Sequence, residues 1–226
     1  MVVRRHFFVR KGYIMLIASY NRQELGDVLV VITAPDTEEQ KTIIRNNIAQ
    51  ITAADDGHLL GYNFLNVHET LGDIDANGQL ELTDKQVDQL NQAIKTTGFE
   101  CLLKLDRTPK FVVGYVEQLS DHPKSDHLHI TRTRISDNET LQIVSGSPNI
   151  ADHIKVVVAK VGAMMPSGQI IWPGQLRGVD SNGMICSGRE LKLKNAPQKP
   201  GALILPDDFQ EVGEAFNFAK GNQLFL

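Results

Sequence analysis

The chain has 226 residues, 42% of them apolar and 22% charged, with a formal net charge of −4. That composition belongs to a folded globular protein long enough for one large core or two small ones, so disorder is excluded as the default. The acidic balance excludes a general nucleic-acid glue, which would be strongly basic.

Residues 1–14 include Arg4, Arg5, Arg10 and Lys11 and read as an N-terminal extension, with Met15 an equally good natural start. The apolar stretch at 13–18 is too short for a signal sequence. No apolar run approaches the roughly 20 residues that span a bilayer, so the expectation is a cytoplasmic protein with no membrane partner. Cys101 and Cys186 lie far apart without a CxxC spacing, which predicts reduced thiols and no zinc.

Residues 15–107 predict a small α+β domain. Short β-rich runs fall at 14–18, 28–33, 43–45, 48–52 and 59–67. Between them stand turn-forming residues: Gly26-Asp27, Ala34-Pro35-Asp36, Asn46-Asn47 and Asp55-Asp56-Gly57. Thr83 opens a helix, and Gln86 three residues later completes a capping box. Val87, Leu90 and Ile94 share one face of that helix, and Gly98 ends it. The result is a meander with one helix laid against it. Asp73, Asp75, Asn77 and Gly78 reproduce the first half of a calcium loop, but the twelfth place is Asp84 rather than the glutamate that binds through both oxygens. The run before it also reads as strand rather than helix, so a polar turn leading into the helix is expected. No catalytic constellation is legible in this half.

Charge then changes sign. Residues 15–107 hold 7 Lys+Arg against 15 Asp+Glu, and residues 108–200 hold 11 against 8. An acidic front part joined to a mildly basic second part predicts two domains, of which only the second invites phosphates. Thr108-Pro109 marks the boundary, and residues 216–226 read as a tail.

From Phe111 the pattern is strongly β: a strand at 111–119 containing Gly114, a polar loop at 120–127, and a strand at 128–135. A turn at Asp137-Asn138 leads to a strand at 140–145. Ser147-Pro148-Asn149 makes a tight turn before a strand at 155–161, and 201–205 reads as a closing strand before Pro206. Five strands at this spacing fit a mainly-β OB-fold, a five-stranded Greek-key barrel, over 108–215. Such barrels bind oligonucleotides on the face of strands two and three and through loops at the rim. Arg132 and Arg134 alternate onto one side of strand two, where they suit a phosphate backbone or a solvated face equally. His122, Asp126, His127 and His129 crowd one loop and strand without a metal-ligand spacing, and no metal is expected there. Trp172, beside Ile170, Ile171 and Pro173, reads as a packing residue. Residues 162–168 look like a phosphate loop, but no Lys-Ser/Thr follows. Cys186 reads as a packed thiol rather than a nucleophile, and no cofactor is expected.

The stretch 175–187 has two glycines and little periodicity. Gly183 allows a tight reversal, from which Ser181 and Met184 project at neighbouring points. A hydroxyl there bonds a phosphate, sugar or base edge, and a polarisable thioether packs on a base face.

Several motifs in register carry a resemblance. In order they are the run at 111–116, His122-Pro123-Lys124-Ser125-Asp126-His127-Leu128, the stretch 141–149 ending in Ser-Pro-Asn, the run at 155–159, and 176–187 with its Ser-x-Gly-Met turn. About residues 108–213 resemble the tRNA-binding OB domain of free-standing tRNA-binding proteins. The same domain forms the front part of the bacterial phenylalanyl-tRNA synthetase β chain and an appendix of some methionyl-tRNA synthetases. The layout with a small domain in front resembles the YtpR-type proteins. The resemblance implies non-enzymatic, structure-selective binding of tRNA at its elbow or outer corner, without aminoacylation. On matching positions it implies contacts from Ser181, Met184 and Asn149. The loop position that is usually lysine is His127 here, with Lys124 a partial replacement. A second reading is a protein-interaction module that docks on a tRNA synthetase or ribosome-associated partner, and a third is hydrolytic or thiol chemistry around Cys186 and the histidine cluster. Free-standing relatives of such barrels often form homodimers, but the residues that pair them are not matched clearly, so that partner stays open.

Overall fold

The computed structural model describes residues 15–226; the expected extension at residues 1–14 and the first residue of the strand expected at 14–18 lie outside them. The described chain is mostly β with few helices and divides into two units between Arg107 and Thr108.

The first unit runs β1 (Ile17–Asn21), α1 (Arg22–Leu25), β2 (Val28–Ile32), β3 (Gln40–Arg45), β4 (Ile48–Ala53), β5 (Leu59–Leu65), α2 (His68–Leu71), β6 (Asn77–Leu80) and α3 (Asp84–Thr96). Its strands form one antiparallel sheet in the order β3-β4-β5-β2-β1-β6. Alternation decides which face is covered: Leu29, Val31, Tyr62 and Phe64 bury one face of β2 and β5 and share a core with Val87, Leu90 and Ile94 of α3. That helix begins with the capping box, Thr83 accepting from the Gln86 backbone while the Gln86 side chain accepts from the Thr83 backbone. Burying three such aliphatic side chains contributes about 1.5–3 kcal/mol each.

Two expectations change here. The run at 59–67 leaves the sheet at Leu65, because Asn66 adopts φ 50° and turns the chain into the one-turn α2. The calcium-like stretch is the approach to an edge strand: Asn77 and Gly78 are ladder residues paired with Asn21 and Tyr20, so the polar pattern conceals β6 rather than a turn running directly into the helix. One polar group ties this unit's loops together. Asp27 accepts from the Tyr20 hydroxyl at 2.9 Å and from the His68 backbone at 3.2 Å, and its carboxylate also meets the His68 ring.

The second unit runs β7 (Phe111–Asp121), β8 (His129–Ser136), β9 (Glu139–Ser145), β10 (Lys155–Ala159), β11 (Gly174–Leu176), β12 (Val179–Ser181), β13 (Met184–Ile185), β14 (Ile204–Leu205) and α4 (Phe218–Gly221). The main sheet has the order β13-β10-β7-β8-β9, with β14 also on β10, and β11 and β12 make a separate hairpin. Val156 and Val158 of β10 enter one core with Val112, Val116, Ile143 and Ile185, while Val157 and Ala159 enter another with Val113, Cys186, Leu203 and Phe209. A strand buried on both faces reads as an unbroken apolar run, which is why β10 is so plain in the sequence. Gly114 sits where strands crowd: a Cβ there would lie 2.7 Å from Val158 Cγ2 and 3.1 Å from Thr133 Cγ2.

The expected fourth strand at 155–161 stops at Ala159. The expected closing strand at 201–205 is only Ile204–Leu205, paired with Lys155 and Val156, and Met184–Ile185 occupies the other half of that edge. Two residues suffice for β13 because the chain after it continues the pattern through Cys186 N–H to the Val157 carbonyl at 2.9 Å.

Burial works to raise the Asp27 pKa, but the hydrogen bonds from the His68 side chain and backbone and from Tyr20 outweigh it and hold the carboxyl below its ordinary value. A carboxyl depressed in the folded state stabilises above its unfolded pKa of about 3.9, and that contribution is lost as pH falls through the lower folded value. Asp27→Ala is therefore expected to cost about 1.5–3 kcal/mol at neutral pH, the scale of hydrogen bonds to a charged group. Urea denaturation checks this, and the curves of variant and parent should converge in acid.

Candidate nucleic-acid interface

The loop from Val179 to Ile185 is held from two sides. On one side the Val144 N–H donates to Ser181 Oγ at 3.1 Å, Asn182 N–H donates to the Gln142 carbonyl at 2.9 Å, and Gln142 Nε2 donates to the Asp180 carbonyl at 2.8 Å. On the other side Met184 and Ile185 pair with Ala159 and Val158. The segment thus bonds to β9 and β10, the strands on either side of the β7-β8 pair. Gly183 makes the passage at φ 143°, where a Cβ would meet the Ala159 carbonyl oxygen at 3.0 Å. The Ser181 side chain is buried, with only 5% of the residue accessible. Ser181 lines the cleft beside this segment, but the hydroxyl expected to face a ligand is already engaged by the β9 backbone, which holds Met184 in position. Asn149 is exposed, but its amide also takes both backbone groups of Ala202, N–H to Oδ1 at 2.7 Å and Nδ2 to the carbonyl at 3.0 Å.

Beside this segment lies a cleft of about 610 Å³. Ile170, Trp172, Met184 and Ile185 give it an apolar wall, and Ser145, Ser147, Gln175 and Arg189 give it polar edges. Trp172 is half-buried and Met184 half-buried, so each keeps surface on the cleft. Trp172, expected only to pack, is thus part of the candidate site.

Cations stand around the cleft outside any close ion pair, although Glu190 also lines it and the charge of Arg177 reaches Asp126. Arg177, next to the lining residue Leu176, donates through one guanidinium nitrogen to the Lys124 carbonyl at 2.9 Å. Lys124 is exposed beside Gly178, and Lys199 precedes the lining residue Pro200. Among the described residues, no ion pair engages Lys124, Arg177, Arg189 or Lys199. Sequence reasoning missed Arg177, Arg189 and Lys199, although the density of basic residues between 189 and 199 is visible in the sequence. The loop bearing Lys124 is fixed by His122, which is buried; its Nδ1 accepts from Lys124 N–H at 3.1 Å and its Nε2 meets the Leu176 carbonyl at 3.1 Å. Nε2 is accordingly the protonated nitrogen. The expected crowd of histidines disperses: His122 points inward, His127 pairs with Asp126 at 2.9 Å, and His129 faces Asp121 at 3.3 Å. The His127 contact, a hydrogen bond before anything else, holds the Asp126 carboxyl below its ordinary value.

Arg132 and Arg134 do project from one side of β8, over a concavity of about 900 Å³ that Arg132 helps to line. Both reach the same carboxylate, however: Glu117 is 3.5 Å from Arg132 Nε and 3.1 Å from Arg134 Nε. The bulge between Val116 and Gln118 lets Glu117 face them, and Arg134 also lies 5.7 Å from the Tyr115 ring centroid. Two guanidiniums sharing one carboxylate present less charge to a phosphate than the sequence implies. Cys186 is fully buried, and burial pushes its thiol up to about 12, which leaves no thiolate at neutral pH.

Comparison with known proteins agrees with this division. The family model described as "Putative tRNA binding domain" matches residues 111–215, and one described as "Domain of unknown function (DUF4479)" matches residues 35–106. The chain is 42% identical over 202 residues to a protein of Bacillus subtilis named "Putative tRNA-binding protein YtpR", covering 89% of this chain and 99% of that one. It is also 41% identical over 160 residues to the phenylalanine–tRNA ligase beta subunit of Oceanobacillus iheyensis and 39% identical over 142 residues to that of Burkholderia pseudomallei. Those matches cover 69% and 58% of this chain but only 19% and 17% of the ligase subunits, so the chain spans under a fifth of either.

The geometry separates positioning residues from surface ones. Ser181→Ala strands the Val144 N–H inside the unit and is expected to lower unfolding free energy by about 1–3 kcal/mol. Lys199→Ala, at an exposed position, is expected to stay within about 0.5 kcal/mol. Equal effects in urea denaturation would deny the hydroxyl its role.

Proposed function

The chain belongs to the YtpR family, and from that premise we propose that it binds tRNA at the Trp172–Met184 cleft, recognising folded shape at the elbow or outer corner and performing no reaction of its own. In this proposal the second unit is an OB barrel closed by the 179–185 segment, and the first an α+β domain. The two-sided bonding of that segment to β9 and β10 supports the closure.

One observation carries the reading: unpaired cations gather around the cleft, while the arginines of β8 share Glu117. Lys124, Arg177, Arg189 and Lys199 are the phosphate contacts, with His127 at the periphery of the same loop. The faces of Met184 and Trp172 receive an unstacked base or ribose. Ser181 and Asn149 act by holding their segments, and Arg132 and Arg134 contribute little. A grip of this kind suits folded RNA, which proteins recognise through shape, 2′-hydroxyls and exposed bases. With three or four phosphates neutralised, affinity falls roughly tenfold to a hundredfold between low and moderate salt. Binding to free tRNA places the chain in the cytoplasm; among the described residues no helix is long and apolar enough to cross a membrane.

Fluorescence anisotropy with bulk tRNA at several salt concentrations tests the site. Replacing Lys124, Arg177 and Arg189 together by Ala is expected to reduce the salt slope by about 2–3 and to weaken binding at least about tenfold. Arg132→Ala with Arg134→Ala should leave the slope unchanged. The reverse pattern would move the site to the β8 face, and no tRNA binding by the parent chain would favour a protein-docking role instead. An acceptor minihelix lacking the elbow should compete poorly; equal competition would remove the elbow from the proposal.

A further inference from the structure

We propose that β3 is a self-association edge, through which two copies of this chain pair antiparallel about Thr42. β3 is the last strand of its sheet, and all six of its residues, Gln40–Arg45, are exposed. Ile43 and Ile44 are 48% and 63% accessible at the centre of that strand. Natural sheets guard such edges with proline, bulges, clustered charge or a covering element. Here, among the described residues, the one bulge-like irregularity of this sheet lies between Ile51 and Thr52, one strand further in. Lys41 and Arg45 are the only charges in the strand, and no described strand pairs with its outer side.

The occupant follows from backbone parity and charge. The Ala54 N–H donates to the Glu39 carbonyl at 3.0 Å, and the register continues as Gln40↔Ala53 through Arg45↔Ile48. Odd-numbered residues of this strand therefore direct their backbone groups toward β4, and Gln40, Thr42 and Ile44 direct theirs outward. A second strand must meet those three. Antiparallel pairing of β3 with its own copy, centred on Thr42, matches Thr42 with Thr42 and Gln40 with Ile44, so every outward donor and acceptor of the strand is used. The same register sets Lys41 opposite Ile43 and Glu39 opposite Arg45 at both ends; Arg45 donates to the neutral Thr97 and Gly98 carbonyls and lies over the Phe99 ring, with no carboxylate of its own in an ion pair among the described residues. Sliding by two residues in one direction opposes Lys41 to Lys41, and in the other opposes Lys41 to Arg45; each also leaves outward groups of the strand unmatched within it. The contact is isologous, as a two-fold pair requires. Six residues a side bury less than a stable interface of roughly 1,200–2,000 Å², so the dimer is weak and appears only at high concentration.

Sedimentation equilibrium of the full chain tests this without RNA, so its outcome is independent of the tRNA proposal. The expected result is a reversible rise in mass from 25.1 kDa toward twice that value as concentration approaches the order of 500 µM. Thr42→Pro removes an outward N–H that the β3–β4 ladder does not use, and is expected to abolish the rise. Glu39→Lys leaves the backbone intact and sets Lys against Arg45, and should weaken association at least about fivefold. A parent chain that stays monomeric across the range, or a dimer indifferent to both substitutions, would overturn the proposal.

Discussion

The hydrogen bond from the Val144 N–H to the Ser181 hydroxyl is the contact on which the second unit's surface depends. A serine accepts it where a backbone carbonyl would in a regular ladder. That lets the chain leave β9 at Asn182, reverse at Gly183 and join β10 at Met184 within three residues. Any longer path would carry Met184 away from Trp172 and open the cleft between them. The same hydroxyl that looks like a ligand contact in the sequence is thus the reason there is a place for a ligand. It lines the cleft with little exposed area, and the bond its oxygen makes to β9 is what keeps that surface in place.

Around that fixed segment, polar ties of a similar kind hold the neighbouring pieces. His122 joins the loop of Lys124 to the hairpin β11–β12, and Asn149 joins its own turn to Ala202. Each is a side chain standing in for absent backbone partners in irregular stretches, where an unpaired buried group costs about 1–3 kcal/mol. The charged residues that remain unpaired are the ones left for solvent or ligand. Charge therefore concentrates near the cleft even though the unit is only mildly basic, and the acidic balance of the first unit would oppose indiscriminate coating by RNA.

Much of this was legible in residue order. Thr83 and Gln86 announce the helix, the run from Val156 to Val158 announces a strand buried on both faces, and Asn46-Asn47 marks the hairpin of β3 and β4. What escaped had specific causes. β6 is written in turn residues because an edge strand needs few apolar side chains and one exposed ladder. β13 is too short for any periodicity and exists only because β10 offers it an edge. The neutralisation of Arg132 and Arg134 depends on a bulge at Glu117, which no alternation pattern encodes. The direction of the Ser181 side chain is likewise set by a strand some forty residues earlier, beyond the reach of local reasoning.

Hydrogen exchange of the full chain with and without tRNA examines the central assignment most directly. The account predicts slowed exchange in the segments around Trp172, Arg177 and Met184, with β8, the strand of Arg132 and Arg134, and the whole of residues 15–107 unchanged. Protection confined to the β7–β8 face, or lying in the first unit, would contradict it.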